Sequence, residues 1–333
     1  SPPAWNDRPT PFYVAPDTGT EYYDGHPHRV RAFSLAPLFA AVDAMQKPVD
    51  WPALDVVASR NALKILLNWI DADAKQNTDG FRMDLTLSGE KTVLISRRER
   101  TYWSMPAGHD YGTSFEKAST TLAGDCANST GYHRIISYDF CGLRMVVRSE
   151  VDAYLPNSDA LPARDFIQDL PDPHAWVCPR PRAGFFRIIK GGSEVPQSAL
   201  LELKTSRTHP LRPDLAMRKI PWRHIIPQLV LSATPNLYFA IHDRGTFLSV
   251  RKCHEEELAE ASRQKSQANL KTNLRLQKLG FMLVQIQELA IQQARGGRQL
   301  TLVSKEGTLR AFERRTSMVG LLPEETLARF SAT

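Results

Sequence analysis

No stretch of this 333-residue chain approaches the roughly twenty consecutive apolar residues that a membrane span requires. Cysteine is scarce: Cys126, Cys141, Cys178 and Cys253 stand far apart, with no C-x-x-C pair. That scatter excludes a zinc ribbon or a dithiol redox motif and argues against a disulfide framework, so a reducing, intracellular compartment is expected. Glycine pairs occur at Gly191-Gly192 and Gly296-Gly297, but no G-x-G-x-x-G or G-K-[S/T] follows them; both read as turns, not phosphate loops. No Ser-His-Asp or Cys-His constellation is visible. The opening residues, SPPAWNDRPTPFYVAPDTG, lack both a basic and an apolar segment and do not read as a secretion signal.

What is present is the composition of a globular chain: 42% hydrophobic and 9% aromatic residues, enough for a sizeable core. The net charge of +6 favours a polyanionic partner, although many enzymes share such a charge. Residues 1–30, rich in proline, read as an extended segment over the surface. A short helix is expected over 36–46. A clearer one follows Ser59, where Leu63, Leu66, Leu67 and Ile70 recur at helical spacing. In 81–87, Phe81, Met83, Leu85 and Leu87 alternate with polar residues, as in a half-buried strand. Strands are also expected at 91–96, 134–140, 143–154, 185–190 and 199–206. Residues 155–184 read as a proline-rich insertion. A helix kinked at Pro227 precedes a hairpin turning at Arg244-Gly245. A long helical stretch spans 255–294, packing through Leu279, Met282, Leu283, Ile286, Leu289 and Ala290, before a last hairpin over Lys305-Glu306-Gly307. No repeat or composition shift marks a boundary. The expected architecture is one mixed α/β domain over 31–333, with helices flanking largely antiparallel sheets.

Two strand-like segments carry charges at i, i+2 spacing. Glu150 and Asp152 would leave one side of their strand, Glu202 and Lys204 one side of theirs. Carboxylates among apolar neighbours are costly unless paired or bound to a cation. If the strands pair, three acids and a lysine converge on an oxygen-rich site suited to a hard divalent ion. The lysine would then steady an attacking water or a developing phosphate charge. Blander readings stand beside this. An E-x-K triplet arises by chance about once in a chain of this length. The ELK segment also reads as a solvated edge strand with an alternating ion pair, and EVD as a strand end entering a polar loop.

Taken in order, these segments resemble the PD-(D/E)xK nuclease core, and further motifs narrow the resemblance. Ser59-Arg60-Asn61-Ala62-Leu63 is similar to an arginine opening a Leu-rich helix, Asp79-Gly80-Phe81-Arg82 to a D/E-G-W/F strand entry, and Gly112-Thr113-Ser114-Phe115-Glu116 to a G-x-x-F-E motif. With Glu150-Val151-Asp152, Glu202-Leu203-Lys204-Thr205-Ser206 and Gln228 ahead of Pro235, they match in order the motifs of the DXO family of decapping nucleases. The resemblance spans about 60 to 250. It implies that Glu116, Asp152, Glu202 and the Leu203 carbonyl ligate metal, with Glu150 binding directly or through water. Lys204 and Gln228 would contact the scissile phosphate or the attacking water, and Arg60 backbone phosphates. Mg²⁺ or Mn²⁺, as two ions, would be the cofactor.

The implied activities are hydrolyses at the RNA 5′ end: removal of incomplete or non-standard caps including NAD, pyrophosphate release from triphosphate ends, 5′→3′ degradation, and dinucleotide release from 5′-hydroxyl RNA. A monomer, placed in the nucleus rather than the cytoplasm, goes with this resemblance. Two alternatives remain: a binding partner that stabilises an XRN-type exoribonuclease, and a DNA-directed PD-(D/E)xK nuclease. Departures from the family pattern are Asn61 in place of glycine, Pro227 directly before Gln228, and the basic run Arg97, Arg98, Arg100. His109 and Asp110 lie near the G-x-x-F-E motif but carry no metal spacing. Tyr102 and Trp103 suit base stacking or core packing, and Lys265, Lys271, Arg275 and Lys278 an RNA track or a solvated helix face.

Overall fold

The computed structural model of the protein describes residues 1–19, 21–22, 34–71, 80–98, 103–105, 108–156, 192–208, 220–254, 256–258, 267–294, 299–314 and 322–331. Nearly all of the proline-rich insertion, the strand expected at 185–190, and Asp79, Tyr102 and Lys265 lie outside them, as do the side chains of Trp103 and Lys271. Among the described residues two seven-stranded sheets form the frame. The first runs β2 (Phe12–Tyr13), β14 (Thr246–Cys253), β13 (Asn236–Asp243), β12 (Leu200–Arg207), β11 (Ala153–Tyr154), β1 (Ala4–Trp5) and β8 (Thr120–Thr121). The second runs β16 (Thr308–Glu313), β15 (Leu300–Lys305), β5 (Arg82–Ser88), β6 (Thr92–Arg98), β4 (Val56–Ser59), β10 (Leu143–Glu150) and β9 (His133–Phe140). A further pair joins β3 (Glu21–Tyr22) to β7 (Trp103–Ser104). Each large sheet has two parallel pairings, β12 with β13 and β1 with β11 in one, β4 with both β6 and β10 in the other; the remaining pairings are antiparallel.

The second sheet is covered on both faces, which explains the near-continuous apolar runs of its central strands. Val56 and Ala58 of β4, Val93 and Ile95 of β6, and Met145 and Val147 of β10 face one way. They meet α2 (Arg60–Asp71) through Leu63, Leu66 and Leu67, and α5 (Gln267–Ala294) through Leu279, Leu283, Ile286 and Ala290. Val57, Leu94 and Val146, one residue off, face α1 (Ala36–Met45) together with Trp51 and Phe330. The half-buried reading of β5 is therefore corrected. Asp84 is fully buried, with Arg98 Nε at 2.6 Å, Arg82 Nε at 3.3 Å and the Thr301 hydroxyl donating at 2.9 Å. A buried carboxylate needs such partners, and apart from Arg82 they come from other strands, β6 and β15.

Three local features position the site. β10 does not continue to Tyr154: it ends at Glu150, and after Val151 and Asp152 the chain enters the other sheet as β11. Asp152 thus stands at the crossing between sheets. The helix α4 (Trp222–Ser232), with Pro227 inside it, lies between the two cores, giving Ile225 and Leu229 to the first sheet and Leu231 to the second. Within its described residues the amino-terminal segment is tied into the first sheet. β1 pairs with β11 and β8, β2 pairs with β14, and Trp5 and Val14 are buried beside Phe115. The hairpin at Arg244-Gly245 forms as its sequence requires, with φ of 47° and 91°. A Cβ on Gly245 would lie 2.4 Å from the Val14 carbonyl oxygen, so the close approach of that segment also needs glycine. No helix among the described residues is long and apolar enough to cross a membrane.

Candidate active site

Glu202 is the centre of the arrangement. It and Lys204 leave the same face of β12, as their spacing requires, and the Lys204 ammonium donates to Glu202 Oε1. That oxygen also accepts from Nε2 of Gln228 on α4. The other, Oε2, accepts from Arg60 at 3.0 Å. Arg60 opens α2 directly after β4, so one charge pair joins the two sheets, with 8% of the arginine side chain and 2% of the glutamate side chain exposed. Asp152 accepts the backbone N–H of Leu203 at 2.8 Å, which ties the crossing segment to the middle of β12. The Lys204 ammonium lies 3.9 Å from Asp152 and donates to the Leu203 carbonyl at 3.0 Å.

Glu116 arrives on α3 (Gly112–Ser119), a helix not expected from the sequence. Phe115, fully buried, anchors it with its ring centroid 4.4 Å from that of Phe247. Asp17 caps it from a distance: its carboxylate accepts the N–H groups of Thr113 at 3.2 Å and Ser114 at 2.7 Å. These are among the orphan donors of a helix start, and an acid there also suits the helix dipole.

The electrostatics bind the set into one unit. Burial pushes the Glu116 carboxyl well above its usual range, and the charges of Asp152, Glu202 and, least, Glu150 add to the rise against Lys204. Asp152 is raised to about 6 by burial and then by Glu202, although Lys204, the Leu203 N–H and Arg60 pull it down. Burial opposes the Glu202 charge too, but Lys204 and Arg60 outweigh it and hold that carboxyl below its ordinary value. For Lys204, burial opposes the charged form, while Glu202 and Asp152 prevail and push the ammonium up. The neighbours of Glu202 thus fix its charge, and the other two acids resist theirs.

The structure brings together Arg60, Glu116, Asp152, Glu202, Leu203, Lys204 and Gln228. Glu150 stands at the exposed end of β10, opposite His133 with its carboxylate against Gly131, and its charge still reaches Glu116. His109 and Asp110 are exposed, and the Asp110 carbonyl accepts the Asp17 N–H at 2.8 Å. Arg275 does not lie on a solvated face: it is buried, with Nε 2.5 Å from Asp71, whereas Lys278 is exposed. Lys64 is the residue that sequence reasoning missed. Burial, then Lys204, Arg60 and Arg97, hold its ammonium below the ordinary value, so it borders the cluster. Its position one helical turn after Arg60 was the available signal.

Among the described residues no group of three or more His, Cys, Asp or Glu side chains stands ready to hold a metal ion. The donor set nevertheless fits a hard divalent cation. It offers three buried or half-buried carboxylates, with Glu116 and Asp152 raised in part by the charge of Glu202, beside a backbone carbonyl. A cation already sits among these donors: the Lys204 ammonium, which touches Glu202 and the Leu203 carbonyl and neighbours Asp152.

Two mixed sheets with flanking helices are the fold of Rai1 and Dxo1. Schizosaccharomyces pombe Rai1 in complex with 3′-FADP superposes with a TM-score of 0.58 at 13% identity, covering 94% of this chain and 87% of that one. Candida albicans Rai1 in complex with pU5 and Mn²⁺ gives 0.53 at 12% identity, covering 89% and 77%. Kluyveromyces lactis Dxo1 in complex with manganese gives 0.54 at 10%, covering 90% and 77%. By sequence, the family model described as "Domain of unknown function (DUF8563)" matches residues 1–313, and the chain belongs to that family. No curated protein matches the chain in sequence.

Proposed function

We propose that this protein is a metal-dependent hydrolase acting on RNA 5′ ends. The observation that carries this reading is the electrical coupling of Glu116, Asp152 and Glu202 around the Lys204 ammonium. The shared fold supports it, as do the ligands bound by its structural neighbours, pU5 with Mn²⁺ in one case and manganese in another. Glu116, Asp152, Glu202 and the Leu203 carbonyl would hold Mg²⁺ or Mn²⁺, with two ions as the expected load and Glu150 acting directly or through water. When bound, the metal supplies Lewis acidity at a phosphate oxygen and a more acidic water.

The chain's own residues do the rest. Lys204, between Glu202 and the Leu203 carbonyl, would place its ammonium against the charge that develops on the phosphoryl oxygens. Gln228 can donate through its amide to that phosphate or orient the attacking water. Arg60 keeps Glu202 ionised and aimed, and as a planar fork it suits a phosphate of the bound chain. The substrates that fit are the first linkages of RNA: incomplete or NAD caps, 5′-triphosphate ends, and the first phosphodiesters of monophosphate or hydroxyl ends.

One RNA carrying each of these 5′ ends in turn, with a DNA of equal sequence as an extra arm, tests the reading. At least one RNA end should be hydrolysed with Mn²⁺ or Mg²⁺, and the DNA less well. Retained DNA cleavage with inert RNA would transfer the site to the DNA-directed class. Pull-down with an XRN-type exoribonuclease tests the partner reading.

A further inference from the structure

A cationic flank adjoins the carboxylates on the side of the second sheet. Arg60 opens α2 and Lys64 follows by one turn, so both side chains leave neighbouring positions on one helix face. β4 runs parallel to β6 with Ala58 opposite Ile95, which brings the end of β6 beside the point where β4 passes into α2. Val93 and Ile95 of β6 face the core that holds Leu63 and Leu67, and strand alternation turns Arg97 to that same side. Arg97 is therefore delivered next to α2 from another element.

The charges sense one another. The Lys64 ammonium is held down by burial and by Lys204, Arg60 and Arg97, with Glu202 acting in the opposite sense. Glu202 is shared among Arg60, Lys204 and Gln228, so it offsets the charge of this flank only in part. Positive side chains crowded at one mouth raise the local concentration of an anion and favour its binding there. Lys64 keeps exposed surface although its ammonium is partly shielded within the cluster, and Arg97 is half-buried, so the flank reaches solvent.

We propose that Lys64 and Arg97 grip a backbone phosphate of the nucleotide chain adjacent to the one at the carboxylates, so that the site selects a polynucleotide over a single-phosphate ester. This rests on the function proposed above. Two cations on separate elements set the direction in which the chain leaves the reacting linkage: along the α2–β6 edge rather than over the first sheet.

The test is fluorescence anisotropy with a 5′-phosphorylated, 3′-labelled five-nucleotide RNA carrying phosphorothioate linkages, in the presence of Ca²⁺. Lys64→Gln and Arg97→Gln should each weaken binding about ten-fold at low salt, as removal of a charge-assisted hydrogen bond does. The double variant should reduce the slope of log affinity against log salt by about 0.7, the value for one fewer phosphate neutralised on a single strand, and each single variant by a smaller amount. Lys64→Arg should keep both affinity and slope, which a merely structural role does not predict. Wild-type affinity and slope in both glutamine variants, or no salt-dependent binding by the unmodified protein, would overturn the inference. Hydrolysis is read separately on ordinary RNA. Binding that shifts as stated with no turnover of any end would sink the enzymatic reading and leave the phosphate grip standing. Normal turnover with unshifted binding would do the reverse.

Discussion

Arg60 donates to Glu202 at 3.0 Å across the junction of two sheets, and both side chains are almost wholly withdrawn from water. A buried pair of this kind contributes little net stability relative to apolar packing, but removing one partner leaves an uncompensated charge. Arg60→Met should therefore destabilise the metal-free protein by about 3 kcal/mol. Arg60→Lys should recover part of that loss. Urea unfolding of the three proteins checks this, and equal midpoints would show that Lys204 and Gln228 suffice to hold Glu202.

Metal binding should depend on pH through Asp152. Its carboxyl titrates near 6 in the folded protein against an ordinary 3.8, so between those values the metal-free fold holds a proton that the unfolded chain has released. The stability from that shift is complete below about pH 4 and is lost as pH rises through 6. A divalent cation binds the ionised form, so its affinity rises over the same window, and Glu116, also raised, adds to the effect. Saturating Mn²⁺ should raise the melting temperature clearly more at pH 7.5 than at pH 5. An equal gain at both would contradict the assignment of Asp152 as a ligand.

Asp17 should matter to the reaction although it lies far from the carboxylate cluster in sequence. It caps the helix that carries Glu116 through the N–H groups of Thr113 and Ser114. Asp17→Ala should cost about 1 kcal/mol in stability, as loss of a helix cap does. Because Glu116 loses its fixed placement, Mn²⁺ affinity should fall as well, which calorimetric titration reads directly. Asp17→Asn, which keeps the acceptor, should be milder on both counts.

Much of this site could be read in the chain because its residues sit on short, strongly patterned segments. Glu202 and Lys204 share a face since they lie two apart on β12, and that needs no tertiary information. Asp152 could not be placed so: the rule holds within one strand, and Asp152 stands past the end of β10, where the chain crosses to the other sheet. The Glu116 helix was invisible because it has only eight residues and its cap comes from Asp17, in a proline-rich stretch that reads as surface. Asp84 and Arg275 failed for a related reason. Charged residues are assigned to solvent unless a distant partner is known, and here Arg98 and Asp71 are those partners. Val56–Ser59 went unassigned because a four-residue strand buried on both faces has no alternation to show.

The most direct measurement is product release from 5′-modified RNA by the unmodified protein, Asp152→Asn and Glu202→Gln, each with Mn²⁺ and with excess EDTA. The unmodified protein should hydrolyse the RNA with Mn²⁺. Both variants, and EDTA, should reduce the rate at least about a hundred-fold, roughly the scale on which removing one charge-stabilising group acts. Activity that survives EDTA, or that is equal in either variant, would contradict a metal site built on these carboxylates.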